Sequence, residues 1–304
     1  MTQSAVEIHA YSRAEKRHTW SEMWGMIFKT LWRNKKSRVG LIILGIFILV
    51  AITGPLLAPY SIADTNFATS AAPSARHWLG TTQAGQDVLS QLIVGTGDSV
   101  ITAFGVGFIA TLLAIILGIS SGYAAGWLDD ILSFITNVFL VLPGLPLLIV
   151  LASYAPGKGI GLIILIVGFT SWPWGARVLR SQVATLRSRD FILAAKLAGD
   201  SAPRILVREV LPNMLSLVIA SFLSSSLYGL LTAVGLEFLG LGDPNAVSWG
   251  SMLYWAQNAG ALMNGQWAWI LAPGLCIACF GMSLVFINFG FDELSNPRLR
   301  GDYE

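Results

Sequence analysis

The stretch Val39–Leu57, VGLIILGIFILVAITGPLL, holds nineteen residues and not one charge. At 1.5 Å of rise per residue, about 20 residues cross the ~30 Å hydrocarbon core of a bilayer. It follows a basic run (Arg33, Lys35, Lys36, Arg38), and Pro55, Pro59 and Tyr60 close it. It starts too late and runs too long for a cleaved signal peptide, so it reads as a retained first span. The whole chain has the same character. Of 304 residues, 54% are hydrophobic and 12% are charged, about half the charged share of a soluble domain. Mean hydropathy is +0.66. Such a surface is stable only where lipid is the solvent.

Five more apolar stretches follow, at about Ser99–Tyr123, Ile131–Tyr154, Ile160–Val178, Met214–Leu236 and Gln266–Phe289. The expected fold is all-α, a polytopic membrane protein with about six transmembrane helices. A leader (1–38) precedes the transmembrane region (39–290), and a short tail (291–304) follows it. Within the leader, Trp20, Trp24, Ile27, Phe28, Leu31 and Trp32 recur at helical spacing among lysines and arginines, as in an interfacial amphipathic helix. Residues 60–97 form an outer segment with one short helix, roughly Gln86–Val94. Residues 237–265 form a second outer loop.

Local features refine the spans. Gly118, Gly122 and Gly126, four apart, predict a groove for a closely packed helix. Pro143 and Pro146 predict a kink in the third span facing protein or a pathway, because freed carbonyls need partners in lipid. Trp172-Pro173-Trp174 interrupts the fourth. Pro143, Pro146, Trp172 and Trp174 are therefore pathway candidates, with helix packing and interfacial anchoring as the other reading. Trp249, Trp255, Trp267 and Trp269 fit an outer aromatic belt.

The cations orient the chain. Six spans put both ends on one side, and seventeen of the nineteen Lys and Arg then share one face: eight in the leader, seven at 177–208 and two in the tail. Only Arg76 and Lys158 fall opposite. The positive-inside rule assigns the leader, the 179–213 loop and the tail to the cytoplasm of a cell-membrane protein. Asp98 and Glu237, at the outer ends of spans, are the sole candidates for intramembrane carboxylates, so a proton-relay carrier has little to work with. The nucleotide-binding pattern G-x-x-x-x-G-K-[ST] occurs nowhere. Three scattered histidines make no metal cluster, and Cys276 and Cys279 read as small apolar helix residues. Neither catalysis nor nucleic-acid binding is indicated; energy for pumping would come from a partner.

Residues 190–213, DFILAAKLAGDSAPRILVREVLPN, read as helix, break, helix. Leu193–Ala198 are strong helix formers. Gly199 suits the left-handed turn that ends a helix, and Asp200 or Ser201 with Pro203 suits the start of the next. A small-faced helix projecting from a membrane protein suits a groove on a partner.

Here the sequence resembles a family. Ala194-Ala195 with Gly199 and then Leu211-Pro212 resembles the "EAA" loop of permease subunits in binding-protein-dependent ABC importers. Leu79-Gly80-Thr81 with Gly85-Gln86-Asp87-Val88 resembles a segment of the dipeptide, oligopeptide and nickel group, and so does Phe238–Gly242 with Ser248-Trp249-Gly250. Trp172, Ala176-Arg177 and Arg180, and the closing Asn296–Arg300, match in order. The leader and the outer segment are similar to the second, C-type permease of such systems. Departures are Leu193 at the loop's glutamate position, Gln86 for arginine and Thr82 for aspartate.

The resemblance implies a type I ABC importer permease fold. It implies a paralogous second permease subunit, two cytoplasmic ATPase subunits that use ATP and Mg, and an extracytoplasmic solute-binding protein. This chain would bind no cofactor. Leu193, Ala194, Ala195, Lys196 and Gly199 would enter an ATPase groove. Arg204 and Arg208 would face either acidic groups there or solvent and lipid phosphates. Di- or oligopeptides would be the solute, with oligosaccharides and nickel chelates carried by similar systems; an ATP-independent channel or carrier is the other reading of the residues.

Overall fold

The computed structural model describes residues 25, 31–124 and 126–295. The leader helix expected over 20–32 and the tail past residue 295 lie almost wholly outside them. Among the described residues the secondary structure is helical, apart from one isolated bridge between Thr81 and Asp87. The helices are α1 (Lys35–Leu57), α2 (Val88–Ala114), α3 (Trp127–Val141), α4 (Gly144–Tyr154), α5 (Ile160–Leu186), α6 (Asp190–Leu197), α7 (Ala202–Ile205), α8 (Leu215–Phe238), α9 (Trp249–Asn258) and α10 (Trp267–Ser295). A π-helical turn, Ile115–Ile119, and a last turn, Ser120–Ala124, extend α2.

Among the described residues, five helical stretches are long and apolar enough to cross a membrane, and the bent pair α3–α4 makes a sixth if taken as one broken span. The 37 residues Val88–Ala124 would reach about 55 Å at helical rise, well beyond the hydrocarbon core. The expected short helix at 86–94 is therefore not separate but the first turns of α2. Asp87 caps that start, its Oδ2 accepting from the Ser90 amide at 2.8 Å. Gly95 and Gly97 do not break the helix. They let it approach other backbone instead: a Cβ at Gly95 would lie 3.2 Å from the Val247 carbonyl oxygen, and one at Gly97 3.3 Å from that of Ala51.

α2 is the central helix, packed against α1, α5, α8 and α9. A Cβ at Gly118 would sit 2.5 Å from the Ala176 carbonyl oxygen, and one at Gly122 2.5 Å from that of Arg180. Both glycines thus do bring α2 against α5. Gly126 differs from its expected role: it has φ +69 with nothing within 4 Å of a Cβ, and it serves the turn into α3. On the α8 side a Cβ at Gly107 would collide with Ser226 Oγ, and one at Gly229 would lie 2.6 Å from Val106. Small residues replace the hydrophobic drive that lipid does not supply between helices.

Three further expectations change. The third span is broken rather than kinked: α3 and α4 meet at 87°. Leu142, ahead of Pro143, takes an extended ψ of 132° and caps α3, and Pro143 caps α4. The fourth span is uninterrupted, because α5 runs through Pro173. Contacts with α2 on both sides, Gly168 on Ile109 and Ala176 on Gly118, brace that point. Two of the four tryptophans expected in an aromatic belt are core residues instead. Trp255 and Trp267 are exposed, but Trp249 is fully buried against Phe47 and Phe280 (ring centroids at 5.5 and 6.0 Å), and Trp269 is buried too.

Gly118→Val should destabilise the detergent-solubilised chain by about 1–3 kcal/mol, since backbone cannot move aside as a side chain can. Gly161→Ala, with nothing within 4 Å, should be neutral or slightly stabilising. Thermal unfolding followed by tryptophan fluorescence checks both, and equal effects would contradict the packing described.

Candidate functional site

Two features stand out: a knob at one end of the helices and a groove that opens beside the break in α3–α4.

The knob is α6 with its turn. Its inner side is anchored, with Ile192 fully buried beside Ile205, Val210, Leu179 and Val183. Its outer side presents Leu193, Ala194 and Leu197, and Leu197 is 90% exposed. Ala195 is half-buried against the same inner cluster. The helix ends in a Schellman turn. The Gly199 amide donates to the Lys196 carbonyl at 3.1 Å and the Asp200 amide to that of Ala195 at 3.1 Å, with Gly199 at φ +84. Ser201 stands at the N-cap of α7 and Pro203 in its first turn. Asp200 instead pairs with Arg204, Oδ1 to Nη1 at 3.2 Å. Lys196 Nζ lies 5.1 Å from the centre of the Tyr123 ring. Arg208 is exposed, and Leu211 and Pro212 are half-buried in the approach to α8. An exposed leucine pair on a firmly rooted helix is what a docking element needs: apolar contact area with little ordering cost on binding.

The groove has a volume of about 460 Å³ and lies among α3, α4, α5 and α8. Trp174 lines it from α5 and Phe139 from α3. α8 contributes Ser221, Ser224, Ser225 and Tyr228, a stripe at helical spacing. The lining is apolar and hydroxyl-bearing, without Asp, Glu, Lys or Arg. Of the pathway candidates, Trp174 is 67% exposed and faces the groove. Trp172 is buried, its ring 5.5 Å from that of Phe139, and does not line it. Pro143 and Pro146 are exposed at the bend, and Gly144 between them reaches the lining. The α8 serines were overlooked in the sequence. Their signal was three consecutive hydroxyls, Ser224–Ser226, inside an apolar span, since polar groups at that depth face protein or cavity.

The two motifs expected on the outer side make turns and interhelical hydrogen bonds. Gly80 (φ +79) and Gly85 (φ +72) make turns where a Cβ would strike backbone oxygens at 2.5 and 2.6 Å. Asp87 accepts from Ser90 and meets His77 Nδ1 at 2.9 Å. The departures are accommodated: Gln86 Nε2 donates to the Ile62 carbonyl at 2.9 Å, and Thr82 Oγ1 accepts from the Gln86 amide at 3.1 Å. In the second motif Ser248 Oγ donates to buried Glu237 at 2.5 Å, and the Trp249 amide donates to Ser99 Oγ at 3.0 Å. These bonds lock α9 across the ends of α2 and α8.

A rooted knob, a neutral groove and this motif order agree with the family comparison, in which residues 114–301 match the model described as "Binding-protein-dependent transport system inner membrane component". The chain belongs to that family. Its residues 22–73 also match the N-terminal transmembrane domain of oligopeptide transport permease C. Similar proteins include the dipeptide transport system permease protein DppC of Alkalihalophilus pseudofirmus, 32% identical over 94% of this chain and 93% of that one. The oligopeptide transport system permease proteins OppC of Bacillus subtilis and Mycobacterium bovis are 30% and 33% identical, over 88% and 91% of this chain and 87% and 96% of theirs. The chain is thus a multi-pass membrane permease.

In a permease with Cys276 and Cys279 replaced by serine, Ser224→Cys and Tyr228→Cys should react with a water-soluble thiol reagent. Leu223→Cys and Leu230→Cys, on the buried side of α8, should stay unlabelled. Equal labelling on both sides would contradict the groove.

Proposed function

We propose that this permease forms half of the translocation pathway of an ATP-driven importer for di- or oligopeptides. A similar second permease would supply the other half. Two separate ATPase subunits would bind ATP and Mg and receive α6, and an extracytoplasmic binding protein would deliver the solute. The observation that carries this reading is the exposed Leu193–Leu197 face on a helix whose other side is fixed in the core. The names of the similar dipeptide and oligopeptide permeases support the solute class. The neutral groove suits it as well. Peptides share amide groups whatever their side chains, and hydroxyls can exchange hydrogen bonds with amides without selecting for charge.

In the cycle so proposed, the ATPases close around ATP and carry the α6 knobs toward each other, which opens the pathway outward; hydrolysis resets it. The charge distribution supports an arrangement with leader, knob and tail in the cytoplasm. Arg208, beside the knob, would add attraction to an acidic rim.

Enlarging Ala195 would disturb the permease's own packing, and any side chain at Gly199 would strain a left-handed turn. Leu197→Asp and Ala194→Trp act only on the exposed face. Each should leave thermal stability unchanged and weaken ATPase association by at least about 2 kcal/mol, roughly thirtyfold, measured by co-purification and titration of the ATPase. Unchanged association in both variants would contradict docking through α6.

A further inference from the structure

The groove has two unlike walls. α8 packs broadly on α2 and α10. α3 does not: Thr136 is its one buried residue, while Trp127, Phe134, Val138 and Val141 are exposed, up to 84% at Val141. Yet α3 ends in the groove, at Phe139, Leu140 and Leu142. Its apolar contact is narrow, chiefly Phe139 against Trp172 of α5, so something besides apolar burial must help fix its position.

That something is a polar seam with α5. Arg180 donates to Asp129 through both Nε, at 2.6 Å to Oδ1, and Nη2, at 2.7 Å to Oδ2. Asp129 also accepts from Ser133 Oγ at 3.2 Å and from Ser121 Oγ. Two turns along α3, Arg177 Nη2 donates to Asn137 Oδ1 at 2.6 Å. Between the two links lies a small void of about 70 Å³, so there the seam is held by its ends and not by packing. Arg180 is 42% exposed and Asp129 18%. Exposed ion pairs usually contribute little, but a bidentate guanidinium–carboxylate pair is the exception, and its planar fork fixes orientation as well as distance. Asp129 lies in the first turn of α3, where a negative charge is further favoured by the helix dipole.

The same stretch of α5 leads to the knob. α5 ends at Leu186 and α6 begins at Asp190. Arg187 Nη1 reaches the Tyr123 carbonyl at 3.4 Å, and Lys196 of α6 covers the Tyr123 ring. Among the described residues, both α5 and α6 thus hold the turn and helix start that carry Tyr123 and Asp129.

We propose that the Arg180–Asp129 pair is the positioning link that makes the α3 wall of the groove travel with α5 when the α6 knob is displaced. This rests on the importer reading above and adds to it the route by which motion reaches the pathway. Without the pair, the knob still docks and the ATPases still cycle, but α3 no longer follows.

Spin-label distances in the assembled importer test this without knowledge of the solute. Label pairs are placed in the Cys276→Ser, Cys279→Ser permease at Phe134 and Thr185, and at Phe134 and Leu231, all exposed positions. Each is measured nucleotide-free and after trapping with ATP and vanadate. In the parent chain the 134–185 distance should stay constant while the 134–231 distance shifts. In Arg180→Ala the 134–231 shift should be lost and the 134–185 distribution should broaden. Arg180→Lys, which keeps the charge without the fork, should retain a partial shift. The exchanged pair Asp129→Arg with Arg180→Asp should restore it, which a role limited to stability of α5 would not predict. A full 134–231 shift in Arg180→Ala overturns the link while leaving the importer reading intact. A parent chain that binds no ATPase overturns the importer reading itself, and the link with it.

Discussion

Everything in this molecule depends on how closely α2 can approach its neighbours. In a bilayer, water does not push helices together, so contact must come from shape. Gly118 and Gly122 let α5 rest on α2 nearly backbone to backbone, while Gly107 of α2 and Gly229 of α8 let those two helices interlock through Ser226 and Val106. The knob and the groove both follow from that. α5 continues through Pro173 against the support of α2, and its far end leads to α6. α8 is fixed by its Ser226 and Gly229 side, which leaves the Ser221–Tyr228 stripe free to face a cavity.

The least supported part borders the groove. α3 and α4 lie outside the tight core, joined by a right-angled break whose non-helical backbone, at Leu142–Pro143, opens beside the groove. Irregular backbone at membrane depth is tolerated where protein or a wet cavity covers it. A wall held mainly by a few polar bonds, with Phe139 on Trp172 as its main apolar contact, can be repositioned at lower cost than one held by interlocked side chains throughout. Rigid core and adjustable wall are thus two consequences of where the glycines lie.

Much of this was legible in the sequence, for stated reasons. Uncharged runs of span length locate the helices, since each must satisfy its own backbone in lipid. Gly199 was readable as a turn because a helix former run stopped there. Other residues misled. Gly95 and Gly97 look like a break between a surface helix and a span, but a glycine looks the same whether it ends a helix or admits a neighbour. Trp249 looks like an interfacial anchor and is a core residue, because hydropathy records affinity for an apolar setting and not whether that setting is lipid or protein. Trp172 and Trp174 flank one proline, yet one is buried on Phe139 and the other faces the groove. Two residues apart on a helix is about half a turn, so opposite fates are the expected result. The groove serines are faint in the sequence because hydroxyls barely lower the hydropathy of a span and carry no charge to mark the lining.

The account's central claim is that the permease is driven through α6 by a separate nucleotide-binding subunit. Electron cryo-microscopy of the importer, isolated intact from its own membrane with and without a trapped ATP analogue, tests it most directly. The account predicts the Leu193–Leu197 face seated in a cleft of an ATPase in both states, with the cleft's displacement matched by a change in the width of the groove. A complex in which that face stands free in the aqueous phase, or in which the groove keeps one width while the ATPases open and close, would contradict it.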